Sequence, residues 1–349
     1  MDAVSAEVTE VRPRVWAIRV PMPGHPLKAS FAYAYVDGGR GALIDPGWPT
    51  PESWAHLDAA LAAIGVGAGG IETVLLTHAH RDHSGMAGRL AVRFGASVML
   101  HAADRPLLPG PRDEHLLRVR SWLDRAGAPD GVVASDLPAF GEPLLVTRWL
   151  GDGDVLEVPG GALRVHWTPG HTPGHVCFED AERRLLFSGD HLLPRITPNV
   201  SSMVGHRDSA LRDYLASLAT VARLEVDLVL PGHERLFGDH AARARFLTEH
   251  HWSRLEEILG VLETDAHRTV HDVAAALTWS RPWETISGIQ QRAALGEVLA
   301  HLNYLGDLRV AAVGDGVPAR WRRTSTGTLQ RERNAALSAF DSSLARSTA

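Results

Sequence analysis

Three histidines and an aspartate stand within six positions of "LLTHAHRDHSG" (75–85): His78, His80, Asp82 and His83. They follow an apolar run directly, where imidazoles suit neither a core nor a plain surface loop. The arrangement recurs further along. An apolar run delivers a glycine and then one ligand-type residue in "WTPGHTPGH" (167–175, His171), "LLFSGDH" (185–191, Asp190) and "LVLPGHE" (228–234, His233). Imidazole together with carboxylate suits zinc, and also iron or manganese. Five histidines and two aspartates exceed what one tetrahedral ion needs. Two ions sharing a carboxylate and a bridging oxygen would use them all. A single "PGH" is a weak signal, but these turns taken together point to one site, and each glycine allows a sharp backbone turn.

The elements that must gather these residues read as an α/β layered domain. "VWAIRV" (15–20) and "FAYAYVDGGRGALIDPG" (31–47) are strands broken by a Gly-rich hairpin. "PESWAHLDAALAAIG" has apolar residues at helical spacing, with Gly65 as its C-cap. "IETVLLTH" (71–78) is a short apolar strand of the kind buried on both faces. "SGMAGRLAVRFG" then reads as a helix and "SVMLH" as the next strand. Strand, site loop, helix, strand is the order of an α/β sheet, whose strand ends converge on one cleft.

Residues 104–150 read as an insertion, Pro-rich at its start, with an amphipathic helix in "EHLLRVRSWLDRAG"; it is expected to form a lid or pocket wall. Strands resume with "VLEVPGG", "LRVHWTPGH", "HVCFED" and "RRLLFSGD", followed by a helix (209–224) and a last strand, "VDLVLPGHE". The chain turns helical from about 250, so a first domain is expected over 1–245 and a second over 250–324. "HAARARFLTEHHWSRLEE" (240–257) reads as a solvated helix face, and 325–349, lacking periodicity, as a disordered tail.

Through "THAHRDH", "TPGHTPGH", "FSGDH", "LPGHE" and "LIDPG", the chain resembles the metallo-β-lactamase superfamily, the hydrolase group that includes glyoxalase II. The resemblance covers roughly residues 12 to 245 and implies an αββα four-layer sandwich with a two-metal site at one edge. On that pattern His78, His80 and His171 would hold one metal, Asp82, His83 and His233 the second, and Asp190 would bridge them. Asp45 in "LIDPG" would sit behind the ligands and orient a histidine. Enzymes of the group with a cysteine ligand carry it where Asp190 stands here, and Cys177 lies elsewhere, as a small buried residue. Diiron flavoproteins of the group place a glutamate where this chain has His80.

The segment 250–324 resembles a winged helix: a short helix, a longer helix and a hairpin around "GDG". Nine acidic and eight basic residues lie there, and "RAALGEVLAHLNYLG" carries one arginine and one glutamate, which argues against a phosphate reader. A role in homodimer contacts or pocket closure is expected instead.

The remaining composition narrows the class. The net charge of -6 gives no general pull toward nucleic acid or anionic membrane. The opening "MDAVSAEVTE" has no basic start and no apolar run, and one cysteine permits no internal disulfide, so a cytoplasmic protein is expected.

The expected activity is hydrolysis of a small thioester or ester, of acyl-CoA, acyl-carrier-protein or S-acyl-glutathione type. Two divalent ions, zinc in first place with manganese or iron as alternatives, would supply a bridging hydroxide. Asp82 is the candidate for proton transfer. His175 is expected behind the ligands, and His191 and Arg195 as substrate contacts, with "LLPRITPNVSSM" (192–203) as a pocket wall. The alternatives are a metal-dependent endoribonuclease, a lactone hydrolase, a single-iron persulfide dioxygenase on the same ligands and a metal-sensing DNA-binding regulator.

Overall fold

Period-2 alternation builds two sheets. In this computed structural model, which describes residues 7–67, 70–108, 112–130, 132, 144–262, 267–324 and 329–347, the chain divides into two compact units. The first comprises Met1–Pro109, Phe140–Pro198 and Leu224–His240; the second comprises Gly110–Ala139, Asn199–Arg223 and Ala241–Ala349. The units are thus interleaved in sequence, whereas a division at 245–250 into consecutive segments was expected.

The first unit opens with a seven-stranded sheet in the order β1 (Val8–Arg12), β2 (Val15–Pro21), β3 (Ala29–Asp37), β4 (Arg40–Ile44), β5 (Ile71–Leu75), β6 (Ser97–His101) and β7 (Arg148–Leu150). Pairing is antiparallel from β1 to β4 and parallel from β4 to β7. A five-stranded sheet follows, β8 (Val155–Val158), β9 (Gly161–Trp167), β10 (Val176–Asp180), β11 (Leu185–Gly189) and β12 (Leu228–Pro231), antiparallel except for the parallel pair β11–β12.

Alternation decides which face each side chain serves. On β3, Ala32, Ala34 and Val36 join Leu57 and Leu61 of α1 (Pro51–Ala63), with Leu90 of α3 (Ala87–Phe94) completing that helix-covered face. Tyr33 and Tyr35 turn the other way and meet Val165, Phe178 and Phe187 of the second sheet. Each of the large apolar side chains among them contributes about 1.5–3 kcal/mol on full burial. Between α1 and α3, the single turn α2 (Arg81–Ser84) leaves the end of β5.

This topology sends one set of strand ends to one edge. The parallel strands β4, β5 and β6 finish there, followed by Asp45, His78 and Asp104. In the second sheet β9, β11 and β12 run the same way, followed by His171, Asp190 and His233. Hydrogen bonds tie the two edges together: Val176 N donates to Thr77 O and Phe31 N to Gly232 O, both at 2.8 Å.

The second unit contains α4 (Arg112–Ala126), α5 (Ala210–Val221), α6 (His240–Val261), α7 (Val270–Ala276), α8 (Gly288–Asp307), the antiparallel pair β13 (Ala311–Val313) and β14 (Trp321–Arg323), and α9 (Leu329–Ser347). Thr269 and Asp272 form a capping box that starts α7. Helix α6 runs without a break through the expected domain boundary. Its histidine-rich stretch is not a solvated face either, because His251 and Trp252 are buried and His251 Nδ1 meets His301 Nε2 at 3.1 Å. The tail expected to be disordered is a helix over Leu329–Ser347, with Leu329 and Phe340 buried. Alanines supply its helix propensity without a periodic apolar pattern. Part of the expected 104–150 lid (109–111, 131 and 133–143) lies outside the described residues. No described helix is long and apolar enough to cross a membrane.

Candidate metal centre

The seven ligand candidates come together in the first unit as two donor triads. In one, His80 Nδ1 lies 3.0 Å from His78 Nε2 and 2.9 Å from His171 Nε2. In the other, His233 Nε2 lies 3.1 Å and His83 Nε2 3.8 Å from Asp82 Oδ2. Both triads have the spacing of groups that could hold an ion. Asp190 stands between them. Its Oδ1 faces His83 Nε2 at 3.4 Å and His233 Nε2 at 3.5 Å, while Oδ2 faces His171 Nε2 at 3.6 Å.

Hydrogen bonds behind the donors fix which ring nitrogen points inward. The Asp45 carboxylate can only accept, so it takes Thr77 N–H at 2.8 Å, the Thr77 hydroxyl at 2.6 Å and His83 Nδ1–H at 2.8 Å. The hydroxyl of Thr77 has spent its proton on Asp45, and therefore accepts from His78 Nδ1–H at 3.0 Å. His233 Nδ1–H donates to Ala29 O at 3.0 Å, and Tyr33 donates its hydroxyl to Pro231 O at 2.7 Å just upstream. Three imidazoles are left with Nε2 aimed at the centre, the nitrogen a metal would take once the ring is neutral. Asp45 adopts φ +50°, a left-handed conformation that aspartate tolerates better than most residues.

Electrostatics reinforce the geometry. Burial pushes the carboxyls of Asp82 and Asp190 up, but His83 and His233 outweigh it and hold both well below the usual carboxylate range. Burial pushes His83 and His233 down, and Asp190 with Asp82 outweighs it and raises both. Burial, helped by the neighbouring His83, keeps His78 well below an ordinary imidazole. Buried and without a hydrogen-bond partner among the described residues are His83 Nε2, His233 Nε2 and Asp190 Oδ1. Three buried ligand-type atoms turned toward one another, paired by charge and not by well-aligned hydrogen bonds, fit divalent metal ions.

Close approach explains one of the glycines better than turning does. A Cβ on Gly232 would stand 2.5 Å from His83 Cε1 and 2.6 Å from Asp190 Oδ1, so the chain can pass behind these two side chains only without one of its own.

The remaining candidates lie around this centre. His175 stacks on His78 with ring centroids 5.1 Å apart, and its Nδ1 lies 2.9 Å from the Thr168 hydroxyl. The expected substrate contact through His191 is corrected by its burial: the ring has no exposed surface and lies 6.0 Å from that of His175. Arg195 is exposed, and its Nε donates to Glu234 Oε1 at 3.1 Å. Cys177 is buried, with its thiol pushed up to about 12 by burial. Sequence reading missed Thr77, Tyr33 and Asp104. Asp104 carries the same signal as the ligands, an acid just past an apolar strand, but lacks the preceding glycine.

The metallo-beta-lactamase superfamily model matches residues 25–233. The chain belongs to the metallo-beta-lactamase superfamily. It is similar to a metallo-beta-lactamase family protein from Thermus thermophilus, with TM-score 0.77 and 33% identity over 90% of this chain and 100% of that one. It is 28% identical to an atrochrysone carboxyl ACP thioesterase of Aspergillus fumigatus, over 81% of this chain and 76% of the other. It is 32% identical to an acyl-coenzyme A thioesterase, MBLAC2, of Gallus gallus, over 59% of this chain and 70% of the other. The superfamily's α/β fold is therefore the fold of this chain. Membership, hydrolases among its relatives and the donor set together make it a metal-dependent hydrolase.

Proposed function

We propose that this metallo-beta-lactamase superfamily chain hydrolyses a small thioester or ester, of acyl-CoA, acyl-carrier-protein or S-acyl-glutathione type. Two divalent ions would serve it, with His78, His80 and His171 holding one, Asp82, His83 and His233 the other, and Asp190 shared. The observation that carries the reading is the orientation of Asp190, one oxygen toward each triad. A complete second triad favours two ions over the single iron of a dioxygenase. The thioesterases among the relatives support the substrate class.

Two divalent ions held there would supply a water acidic enough to ionise near neutral pH and an electrophile for the substrate carbonyl. The protein's own groups do the rest. Asp45, Thr77 and Ala29 O hold the imidazoles so that their lone pairs stay aimed without reorganisation. Asp82, less buried than Asp190, reaches the open side of the site with its side chain 18% exposed. It orients the attacking water by accepting its hydrogen bond. It then takes the proton only long enough to pass it to the leaving thiolate or alkoxide.

We read the second unit's C-terminal part, from α7 to β14, as a winged helix used for dimer contacts or pocket closure. Helix α8, which would have to read nucleic acid, buries Arg292 and His301 instead of presenting them. That disfavours the ribonuclease and DNA-binding readings. Zinc and a cytoplasmic location remain parts of this proposal.

The test is free-thiol release from a panel of acyl-CoA and acyl-glutathione substrates, with zinc-loaded and manganese-loaded protein. Asp190→Ala serves as the control. Turnover that disappears in the variant is the expected result. Silence across the panel with both metals bound would overturn the thioester reading and send the search to oxygen esters, lactones and RNA.

A further inference from the structure

Asp45 reaches a histidine of each triad, and a second buried aspartate joins the two loops that carry His78, His80 and His171. Asp104 has no exposed surface and lies three residues past the end of β6. Its Oδ2 accepts Ala79 N–H at 2.8 Å and the Thr172 hydroxyl at 2.9 Å, and its Oδ1 accepts Gly174 N–H at 2.6 Å. Ala79 sits between His78 and His80. Thr172 and Gly174 follow His171 by one and three residues. One carboxylate therefore joins the two loops that carry all three histidines of one triad, and its three described hydrogen bonds all come from those loops.

The chemistry of the clamp is specific. Two of the three donors are backbone N–H groups, which can only donate, so the side chain between them must offer acceptors on both oxygens. A carboxylate does this, and three donors offset part of the cost of burying its charge, which still pushes its pKa up to about 6. An amide of the same shape would aim its NH2 group at an N–H. The backbone is fitted to the clamp as well. A Cβ on Gly174 would stand 2.5 Å from Asp104 N and 2.9 Å from its Cγ, so the His171 loop closes on Asp104 only with glycine there.

We propose that Asp104 is the positioning residue of the His78, His80 and His171 half of the centre. It holds the two loops in register and sets metal affinity at that half without acting on the other. The inference rests on the two-ion reading above. The three described bonds of Asp104 leave out the side chains of Asp82, His83 and His233; of these, His83 is held by Asp45 and His233 by Ala29 O.

The test is cobalt(II) titration of the full chain, followed by equilibrium dialysis and visible absorbance. It compares wild type with Asp104→Asn, His171→Ala and Asp82→Ala. In Asp104→Asn, one equivalent is expected to weaken by about 10–100-fold while the other stays unchanged. The changed absorbance band is expected to be the one lost in His171→Ala, not the one lost in Asp82→Ala. Equal weakening of both equivalents, or of neither, would overturn the proposal. If Asp104→Asn does not fold, Gly174→Ala makes the same test with the carboxylate intact. A wild type that binds only one equivalent would fell the two-ion reading. Asp104 would then be judged by whether its variant follows His171→Ala.

Discussion

Asp45 Oδ2 accepts the Nδ1–H of His83 at 2.8 Å, and the same oxygen takes the Thr77 hydroxyl, whose own acceptor side faces His78. One carboxylate thus sets the ring orientation of a histidine in each triad. Asp45→Asn replaces one acceptor by a donor and breaks this relay. Metal affinity should fall by about 10–100-fold, the range expected when a partner behind a ligand is lost. Equilibrium dialysis against zinc checks it; unchanged affinity for both equivalents would contradict the role given to Asp45.

Gly232→Ala should damage the centre through shape alone. The added methyl would enter at 2.5 Å from His83 and 2.6 Å from Asp190, so one or both ligands must move. Bound metal should drop by at least one equivalent, measured by elemental analysis after dialysis, while the circular dichroism of the protein is retained. Full stoichiometry would show that the strand end can yield.

Metal binding should release protons. Asp190 and Asp82 raise the pKa of His83 and His233 against the effect of burial, and an ion must displace the protons those rings carry. Apparent affinity should therefore rise with pH until both rings are neutral. Calorimetric titration of metal in buffers of different ionisation enthalpy measures the protons released. Heats independent of the buffer would refute the linkage.

The buried pair His251 and His301 should make the protein acid-sensitive. Burial pushes His301 down to about 3, against the Glu297 carbonyl that its Nδ1–H donates to. The unfolded chain binds a proton near 6.5 where the folded chain does not, so this contribution is complete above 6.5 and is lost as pH falls toward 3. At about 1.4 kcal/mol per pH unit, the loss is about 2 kcal/mol by pH 5. Urea midpoints at pH 7.5 and 5 should separate by less in His301→Gln than in wild type. An equal separation would clear His301 of the effect.

The donor cluster was legible because each candidate ligand is a particular residue type just past an apolar strand, and both features are written locally. Asp104 sits in the same kind of place, past β6, yet nothing in "SVMLHAAD" says that its partners lie 25 and 70 positions away, at Ala79 and Gly174. Thr77 is as plain an example. Only the bond it gives to Asp45 determines what it takes from His78. The histidines of α6 misled for the opposite reason, since their spacing is that of a helix face, and burial against α8 is a property of the packed unit.

The sequence by itself determined the strand and helix order around the site, the seven metal-type side chains and the strand ends that carry them. Periodicity and strand-end chemistry act over a few residues and survive without a fold. Tertiary structure alone decided that Asp190 faces both triads, that Asp45 reaches a histidine in each while Asp104 joins the Ala79 and His171 loops, and that His191 is buried. It also decided that α6 and α9 are held by buried side chains. Each of these depends on hydrogen bonds or packing between residues far apart in the chain, and such pairings exist only once the sheets have closed on one another.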